Sequence, residues 1–258
     1  MTANYCNGIW FGPGPGASRT EELLQTHSRA ATEIERAEAS IELCKLGKFH
    51  GKKDILDAMR IAPVKHRSGL CRIYCSVATH DEIADLVDVI NEDDEEDVDV
   101  FATFSYLTLS LRAIPHLLSL AEIWEGTRLE EGLIDACRVL YPLYTDQDSR
   151  LAEVAPFYRN LMDKVDTKDY FYWGMPAFPG DLTKELIQGA AQAKLEMREL
   201  RMSMIPTLLS VWSGVECPID FSTRIDHDQI GSTLEYVKVI ASMKWLKGSK
   251  YFYGHRLD

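Results

Sequence analysis

Apolar residues recur every three or four positions along most of the chain, with charged residues between them. This spacing is typical of amphipathic helices. The first such pattern follows Ser18, which has Glu21 three residues later as in a capping box, and it stops at Gly47. Further helices are predicted for residues 53–61, 81–90, 98–112, 113–124, 128–143, 151–165, 182–212 and 231–246. The pattern therefore predicts an all-α fold.

Periodicity alone does not assign the secondary structure of two stretches. Residues 69–79 have the composition of a buried strand, but their helical neighbours favour a helix. Pro206 lies inside the longest apolar run and is expected to kink that helix or to end it near Ile205, because proline lacks a backbone N–H. The sequence shows no hairpin signal and no alternation of strands with helices, so no sheet is predicted.

The central part of the chain is similar to itself. Residues 83–107 and 114–140 each contain an apolar helix, a turn and a second helix, and the small residues Ala102 and Ala136 are 34 positions apart. Residues 113–118, Ala-Ile-Pro-His-Leu-Leu, resemble the first helix of HEAT-like repeats. The resemblance covers residues 53–144 and implies HEAT-like helix pairs that form a short, irregular α-solenoid with long flanking helices. Such a surface is suited to holding another macromolecule.

The charge of the chain limits its function. The formal net charge is −12, whereas a general nucleic-acid binder needs a basic surface. Residues 45–72 carry eight Lys or Arg against two acids, and residues 81–99 carry eleven acids with no Lys or Arg. These stretches are either solvated faces of opposite sign, or the acidic one meets a basic partner.

The chain is expected to work in the cytoplasm. Its apolar runs are too short to span a membrane, and residues 1–16 lack the basic and apolar regions of a secretory signal. Six cysteines without C-x-x-C spacing are expected to be reduced and buried. We interpret residues 1–258 as one helical domain with a weaker boundary near residues 145–150.

Three motifs keep a metal-dependent all-α hydrolase or lyase as the alternative function. Residues 93–97 contain D-D-x-x-D and resemble the metal-binding motif of class I terpene synthases, but the second motif of that family fails at Tyr236. His80 and Asp81 resemble the HD phosphohydrolases, although a helix N-cap is the favoured interpretation of Asp81. The cluster at residues 226–228 could hold a metal and equally suits an N-cap. No catalytic residue, metal ligand or cofactor is assigned from these motifs.

Two segments are predicted to bind a partner protein: an acidic run and an aromatic loop at residues 169–181. Aromatic side chains contribute strongly to interfaces, although they equally fill cores. The predicted contact residues are Glu92, Asp93, Asp94, Glu95, Glu96 and Asp97 in the run, and Tyr170, Tyr172 and Trp173 in the loop.

An acidic cytoplasmic chain of this size, with degenerate helical repeats and an aromatic loop, resembles the immunity proteins of bacterial polymorphic-toxin and contact-dependent inhibition systems. The resemblance implies a protein that neutralises a cognate toxin by stoichiometric binding. The acidic run would then meet a basic toxin domain, with no nucleic acid and no membrane as partner. Steric occlusion and charge complementarity would provide the mechanism.

Overall fold

The computed structural model describes residues 11–143, 150–202 and 204–257, and the fold is all-α. The predicted boundary near residues 145–150 lies almost wholly outside this part of the chain. The helices are α1 (Thr20–Arg29), α2 (Glu33–Lys45), α3 (Lys52–Ile61), α4 (Val64–Val77), α5 (Ile83–Val87), α6 (Glu95–Phe104), α7 (Ile114–Ile123), α8 (Arg128–Leu140), α9 (Leu151–Met162), α10 (Pro179–Leu195), α11 (Met204–Ser213) and α12 (His227–Ser242). The strands are β1 (Phe171–Tyr172), β2 (Met175–Pro176), β3 (Tyr251–Phe252) and β4 (His255–Arg256).

The N-terminal pattern forms two helices, so the prediction of one long helix was wrong. The side chain of Thr32 accepts a hydrogen bond from the backbone N–H of Glu35 at 3.2 Å, which makes Thr32 the N-cap of α2. The Glu35 carboxylate accepts in return from the N–H of Ala31 at 2.8 Å. Ser18 lies in a 3-10 turn, Ala17–Arg19, and does not cap α1. These two hydrogen bonds satisfy backbone N–H groups between α1 and α2, so α2 begins there as a separate helix.

The pattern over residues 182–212 also forms two helices. α10 ends at Leu195, and α11 begins at Met204. Pro206 lies in the first turn of α11, where its missing N–H is not needed, so the predicted kink at this proline or helix end near Ile205 was wrong. The real break contains Met197 and Arg201 in the left-handed conformation, with φ of 52° and 53°.

The central region agrees with the predicted helices except at one buried turn. Residues 69–79, the ambiguous stretch, lie largely within α4 and are helical to Val77. The helix predicted for residues 98–112 ends at Phe104 and continues as short 3-10 turns around Leu109, which is fully buried with φ of 55°. The carbonyl of Leu109 accepts from the N–H of Phe171 at 2.7 Å. The buried turn at Leu109 thus binds the backbone of the aromatic segment that contains Phe171.

Two small antiparallel hairpins were not predicted. Hairpin 1 (residues 170–177) pairs β1 with β2, and hairpin 2 (residues 250–257) pairs β3 with β4. Each is eight residues long, rich in aromatic residues, and has glycine at its fifth position. The turn residues are all left-handed, with φ of 53° and 78° at Trp173 and Gly174 and of 51° and 81° at Tyr253 and Gly254. Both hairpins therefore have the left-handed pair that type I′ turns require.

Each hairpin turn covers the C-terminal end of a helix. In hairpin 1 the N–H groups of Trp173 and Gly174 donate to the carbonyls of the last two residues of α8, at 2.9 and 3.0 Å. In hairpin 2 the N–H groups of Tyr253 and Gly254 donate to two carbonyls in the last turn of α11, at 2.8 and 2.6 Å. These carbonyls have no partner within their own helix, so the turns satisfy groups that would otherwise be costly to bury.

The C-terminal hairpin packs back against the N-terminal half. The ammonium group of Lys250, fully buried, donates to the carbonyls of Cys75 and Ala78 at the C-terminal end of α4, at 2.6 and 2.9 Å. In a solenoid each unit contacts its neighbours only, whereas this contact joins residues about 170 positions apart. The α-solenoid of HEAT-like repeats is therefore not confirmed.

Candidate functional site

The basic and acidic stretches of the sequence pair with each other inside the fold. Arg67 forms an ion pair with Asp97, and the ammonium of Lys52 lies 2.5 Å from the carboxylate of Glu82. Both pairs are mostly shielded from solvent. Part of the predicted charge asymmetry is thus used to join α3 and α4 to the segment that follows them, and it is not available to a partner.

Two residues of the acidic run are used by the fold. Asp94 is the N-cap of α6 and accepts from the N–H groups of Glu96 and Asp97 at 2.9 and 3.2 Å. Asp97 is 2% exposed, and besides its pair with Arg67 it accepts from the N–H of Asn91 at 3.2 Å. Its carboxylate cannot reach a partner's surface without unfolding this turn.

The other four residues of the run are exposed to solvent. Glu95 forms an exposed ion pair with Arg128 at 3.2 Å. The carbonyl of Glu92 accepts from the indole N–H of Trp124 at 3.0 Å, which attaches the turn to the end of α7. Glu92, Asp93 and Glu96 form no ion pair with any residue of the described ranges.

The exposed negative charge extends beyond the predicted run. Asp85 in α5, Asp88 after it and Asp99 in α6 are also exposed and unpaired within the part of the chain that the structure describes. Their helical spacing was present in the sequence, since residues 85 and 88 lie on the polar side of the predicted helix 81–90. The acidic surface consists of Asp85, Asp88, Glu92, Asp93, Glu96 and Asp99.

The aromatic loop is divided between core and surface. Tyr170 is buried, and its ring stacks on that of His80 with 4.0 Å between centroids. Tyr172 is half-buried, and burial raises the pKa of its phenol. Trp173 is 55% exposed, and Met175, which the sequence analysis missed, is 54% exposed. Of the three predicted aromatic residues, only Trp173 offers most of its side chain to a partner.

The two predicted contact regions lie at opposite ends of α8. Arg128, the partner of Glu95, is the first residue of this helix, and the Trp173 backbone binds the carbonyl of Val139 near its end. With a rise of 1.5 Å per residue, the two ends are separated by about 18 Å. An interface of ordinary size buries about 800 Å² on each partner and extends far enough to include both regions.

The side chains proposed for an HD-like site have other partners. Nδ1 of His80 lies 2.7 Å from the hydroxyl of Ser110, its Nε2 lies 2.9 Å from the carbonyl of Lys168, and burial lowers the pKa of its ring. Asp81 forms an ion pair with Arg112 at 2.6 Å. The predicted N-cap at Asp81 was wrong, because Thr79 has that position and forms a capping box with Glu82.

The remaining candidates for chemistry are also explained by local structure. Asp226 is the N-cap of α12 and accepts from the N–H groups of Asp228 and Gln229 at 2.8 and 3.1 Å. Across residues 11–143, 150–202 and 204–257, no group of three or more His, Cys, Asp or Glu side chains is arranged to hold a metal ion.

The cysteines that the structure describes are free thiols, four of them buried, while Cys6 lies outside this part of the chain. Burial raises the pKa of Cys44 to about 12 and that of Cys217 to about 12, so neither is an activated nucleophile. A membrane-spanning helix, one both long and apolar enough to cross a bilayer, is not found among the residues described.

The chain matches a known protein family over most of its length. The model of a family described as immunity protein 47 (Imm47) matches residues 5–257, which is nearly the whole chain. No curated protein and no solved structure is significantly similar to it.

Proposed function

The chain belongs to the immunity protein 47 family, and we propose that it neutralises a cognate toxin by forming a one-to-one complex with it. Membership of an immunity protein family implies a protein partner, the toxin. The further elements of the proposal are the stoichiometry, the basic character of the toxin and the surface that binds it.

The observation that carries the proposal is the acidic surface. Its six carboxylates are exposed, and none of them forms an ion pair with a Lys or Arg within the described ranges. An excess of like charges on one part of a chain repels itself in the folded state. A partner with a basic face relieves that repulsion when it binds, and a toxin domain with such a face is the partner that we propose.

The mechanism combines steering with occlusion. Opposite charges raise the association rate of two proteins, and the effect falls as salt screens it over a Debye length of about 8 Å at physiological ionic strength. Once bound, the helical face covers the toxin surface and prevents access of its substrate. We propose the cytoplasm as the compartment, which agrees with free thiols at all five described cysteines.

The experiment measures binding to the cognate toxin domain, identified by a pull-down with the purified chain from lysate of its source. The test variant carries Glu92→Lys, Asp93→Lys and Glu96→Lys, which leaves the structural Asp94 and Asp97 intact. The matched control carries Glu21→Lys, Glu38→Lys and Glu216→Lys, three exposed acids on other parts of the molecule. Both variants change the net charge equally.

We expect the test variant to associate at least about 10-fold more slowly than the control at low salt, with the difference shrinking as salt is added. Protection of cells that co-express the toxin should weaken in parallel. Equal association rates for the two variants would remove the acidic surface from the proposal. Absence of any complex with the unmodified chain would contradict the proposed function itself.

A further inference from the structure

The first turn position of each hairpin holds a large aromatic residue in an unfavourable backbone conformation. Trp173 has φ of 53°, and Tyr253 has φ of 51°. Residues with a Cβ atom are uncommon in this left-handed region, and a bulky aromatic side chain there is held at a cost. Asparagine and glycine are the residues that type I′ turns favour at this position.

The interior of the molecule explains Tyr253. Its side chain is 7% exposed, and its hydroxyl donates to the carbonyl of Gly12 at 2.6 Å. Gly14 also lies against the Tyr253 ring, and the ring of Phe11 lies 6.0 Å from that of Phe252. A glycine- and proline-rich segment without regular secondary structure, residues 11–14, thus lies across the tip of hairpin 2. Burial and a hydrogen bond offset the backbone cost.

The same explanation is not available for Trp173. Its indole N–H forms no hydrogen bond with a described residue, and 55% of the side chain faces solvent. Met175, on the paired strand, is similarly exposed, as is part of Phe157, whose ring lies 6.3 Å from that of Tyr141. The hairpin therefore holds an apolar tip in a costly conformation without burying it in the described structure.

The charge beside this tip indicates what covers it. Glu185 is half-buried next to Tyr172 and has no ion pair with the residues that the structure describes. Burial, together with the nearby carboxylate of Asp181, raises the pKa of Glu185. Glu185 thus offers a carboxylate without a salt bridge near Tyr172, and the ring of Tyr172 lies 6.5 Å from the exposed indole ring of Trp173. Carboxylates and aromatic rings both attract Lys and Arg.

We propose that the tip of hairpin 1 docks a non-helical segment of the toxin in which a Lys or Arg is adjacent to an apolar residue. The apolar side chain packs on Trp173 and Met175, and the cation lies between the indole ring and Glu185. The segment covers hairpin 1 as residues 11–14 cover hairpin 2. This inference rests on the proposed function, and it names a second contact at the far end of α8 from the acidic surface.

The variant Trp173→Asn tests the contact without damaging the turn, since asparagine prefers the conformation that Trp173 adopts. Met197→Asn is the matched control, because Met197 is 75% exposed and also left-handed, with φ of 52°. Thermal unfolding and the dissociation constant for the toxin domain are measured for both. Glu185→Gln provides a third, smaller change.

We expect Trp173→Asn to keep or raise the melting temperature and to weaken toxin binding at least about 30-fold, mostly through faster dissociation. Glu185→Gln should weaken binding about 3- to 10-fold, since it removes one charge-assisted contact. Met197→Asn should leave the affinity unchanged. Unchanged affinity in Trp173→Asn, with tight binding by the unmodified chain, would overturn this inference and leave the proposed function intact.

A photo-crosslinking phenylalanine at position 173 identifies the occupant. Crosslinks to a toxin peptide that has a Lys or Arg beside an apolar residue support the inference. Crosslinks to this chain's own residues 144–149, to a second copy of the chain, or to a helical face of the toxin would overturn it. Failure of the unmodified chain to bind the toxin at all would overturn the proposed function and the inference together.

Discussion

Hairpin 1 and hairpin 2 have the same backbone and the same attachment to a helix end, yet their tips have different surroundings. Tyr253 is buried beneath residues 11–14, whereas Trp173 is exposed. At the base of hairpin 2, the Lys250 ammonium binds backbone carbonyls at the C-terminal end of α4. The equivalent residue of hairpin 1 is Tyr170, and its ring centre lies 5.8 Å from the same ammonium. The same hairpin motif therefore has a buried tip in one place and an exposed tip in the other.

The difference shows that local sequence does not decide whether an aromatic residue belongs to the core. Both segments satisfy carbonyls at the end of a helix, and this requirement explains why the turns exist. Whether the side chains at the tip are then buried depends on which other segment crosses them. For hairpin 2 that segment comes from the opposite end of the chain.

The largest expected change in stability comes from removing the equivalent aromatic ring from each hairpin. Phe252 is fully buried, and Phe252→Ala is expected to lower the free energy of unfolding by about 3–5 kcal/mol. The counterpart Tyr172→Ala, at a half-buried position, should cost about 1–2 kcal/mol. Urea unfolding followed by far-UV circular dichroism measures both. Equal losses would mean that hairpin 1 is as much a part of the core as hairpin 2.

The base of hairpin 2 is expected to make stability depend on pH. Burial lowers the pKa of Lys250 from its ordinary value of 10.5 to about 7, so between these values the unfolded chain holds a proton that the folded chain releases. Stability relative to Lys250→Met should therefore rise with pH, by about 2–3 kcal/mol between pH 7.5 and pH 9.5. Lys52 and Glu82, the nearby charged groups, are common to both proteins.

Urea unfolding at a series of pH values measures this difference. A constant gap between the two proteins across that range would show that the ammonium stays protonated, with the carbonyls of Cys75 and Ala78 compensating for its burial.

A smaller difference in stability is expected between variants at the tips of the two hairpins. Tyr253→Phe removes the hydrogen bond to Gly12 and should lower the free energy of unfolding by about 1 kcal/mol. Hydrogen exchange near residues 11–14 should become faster at the same time. Trp173→Phe, at the equivalent position, should change stability by less than about 0.5 kcal/mol. A loss at Trp173 as large as that at Tyr253 would remove the distinction between the covered and the exposed tip.

The smallest expected change is in the acidic run, where one of two neighbouring residues is exposed and the other caps a helix. Asp93→Ala should change the free energy of unfolding by less than about 0.5 kcal/mol, since its side chain is exposed. Asp94→Ala removes the N-cap of α6 and should cost about 1 kcal/mol. Thermal denaturation of the two variants gives the comparison. If Asp93 proved the costlier position, our division of the run would be wrong.

Several features missed by the sequence analysis had a local signal. Thr32 and Glu35 match the capping-box pattern that divides the first helix, as Thr79 and Glu82 do further on. The hairpins had a weaker signal, because an aromatic residue before glycine is an unusual type I′ turn. Such a turn forms here because the ends of α8 and α11 need donors, and that need is not visible in the hairpin's own sequence.

The sequence by itself determined the all-α class and the apolar faces of most helices, because a helix depends on contacts three or four residues apart. It also indicated the class of protein and the two segments considered for binding. Only the tertiary structure decided that Asp97 and Tyr170 are buried while Asp93 and Trp173 are exposed. Those outcomes depend on Arg67, on His80 and on which segments pack nearby. Burial is a property of the whole packed chain, so spacing along the sequence cannot specify it.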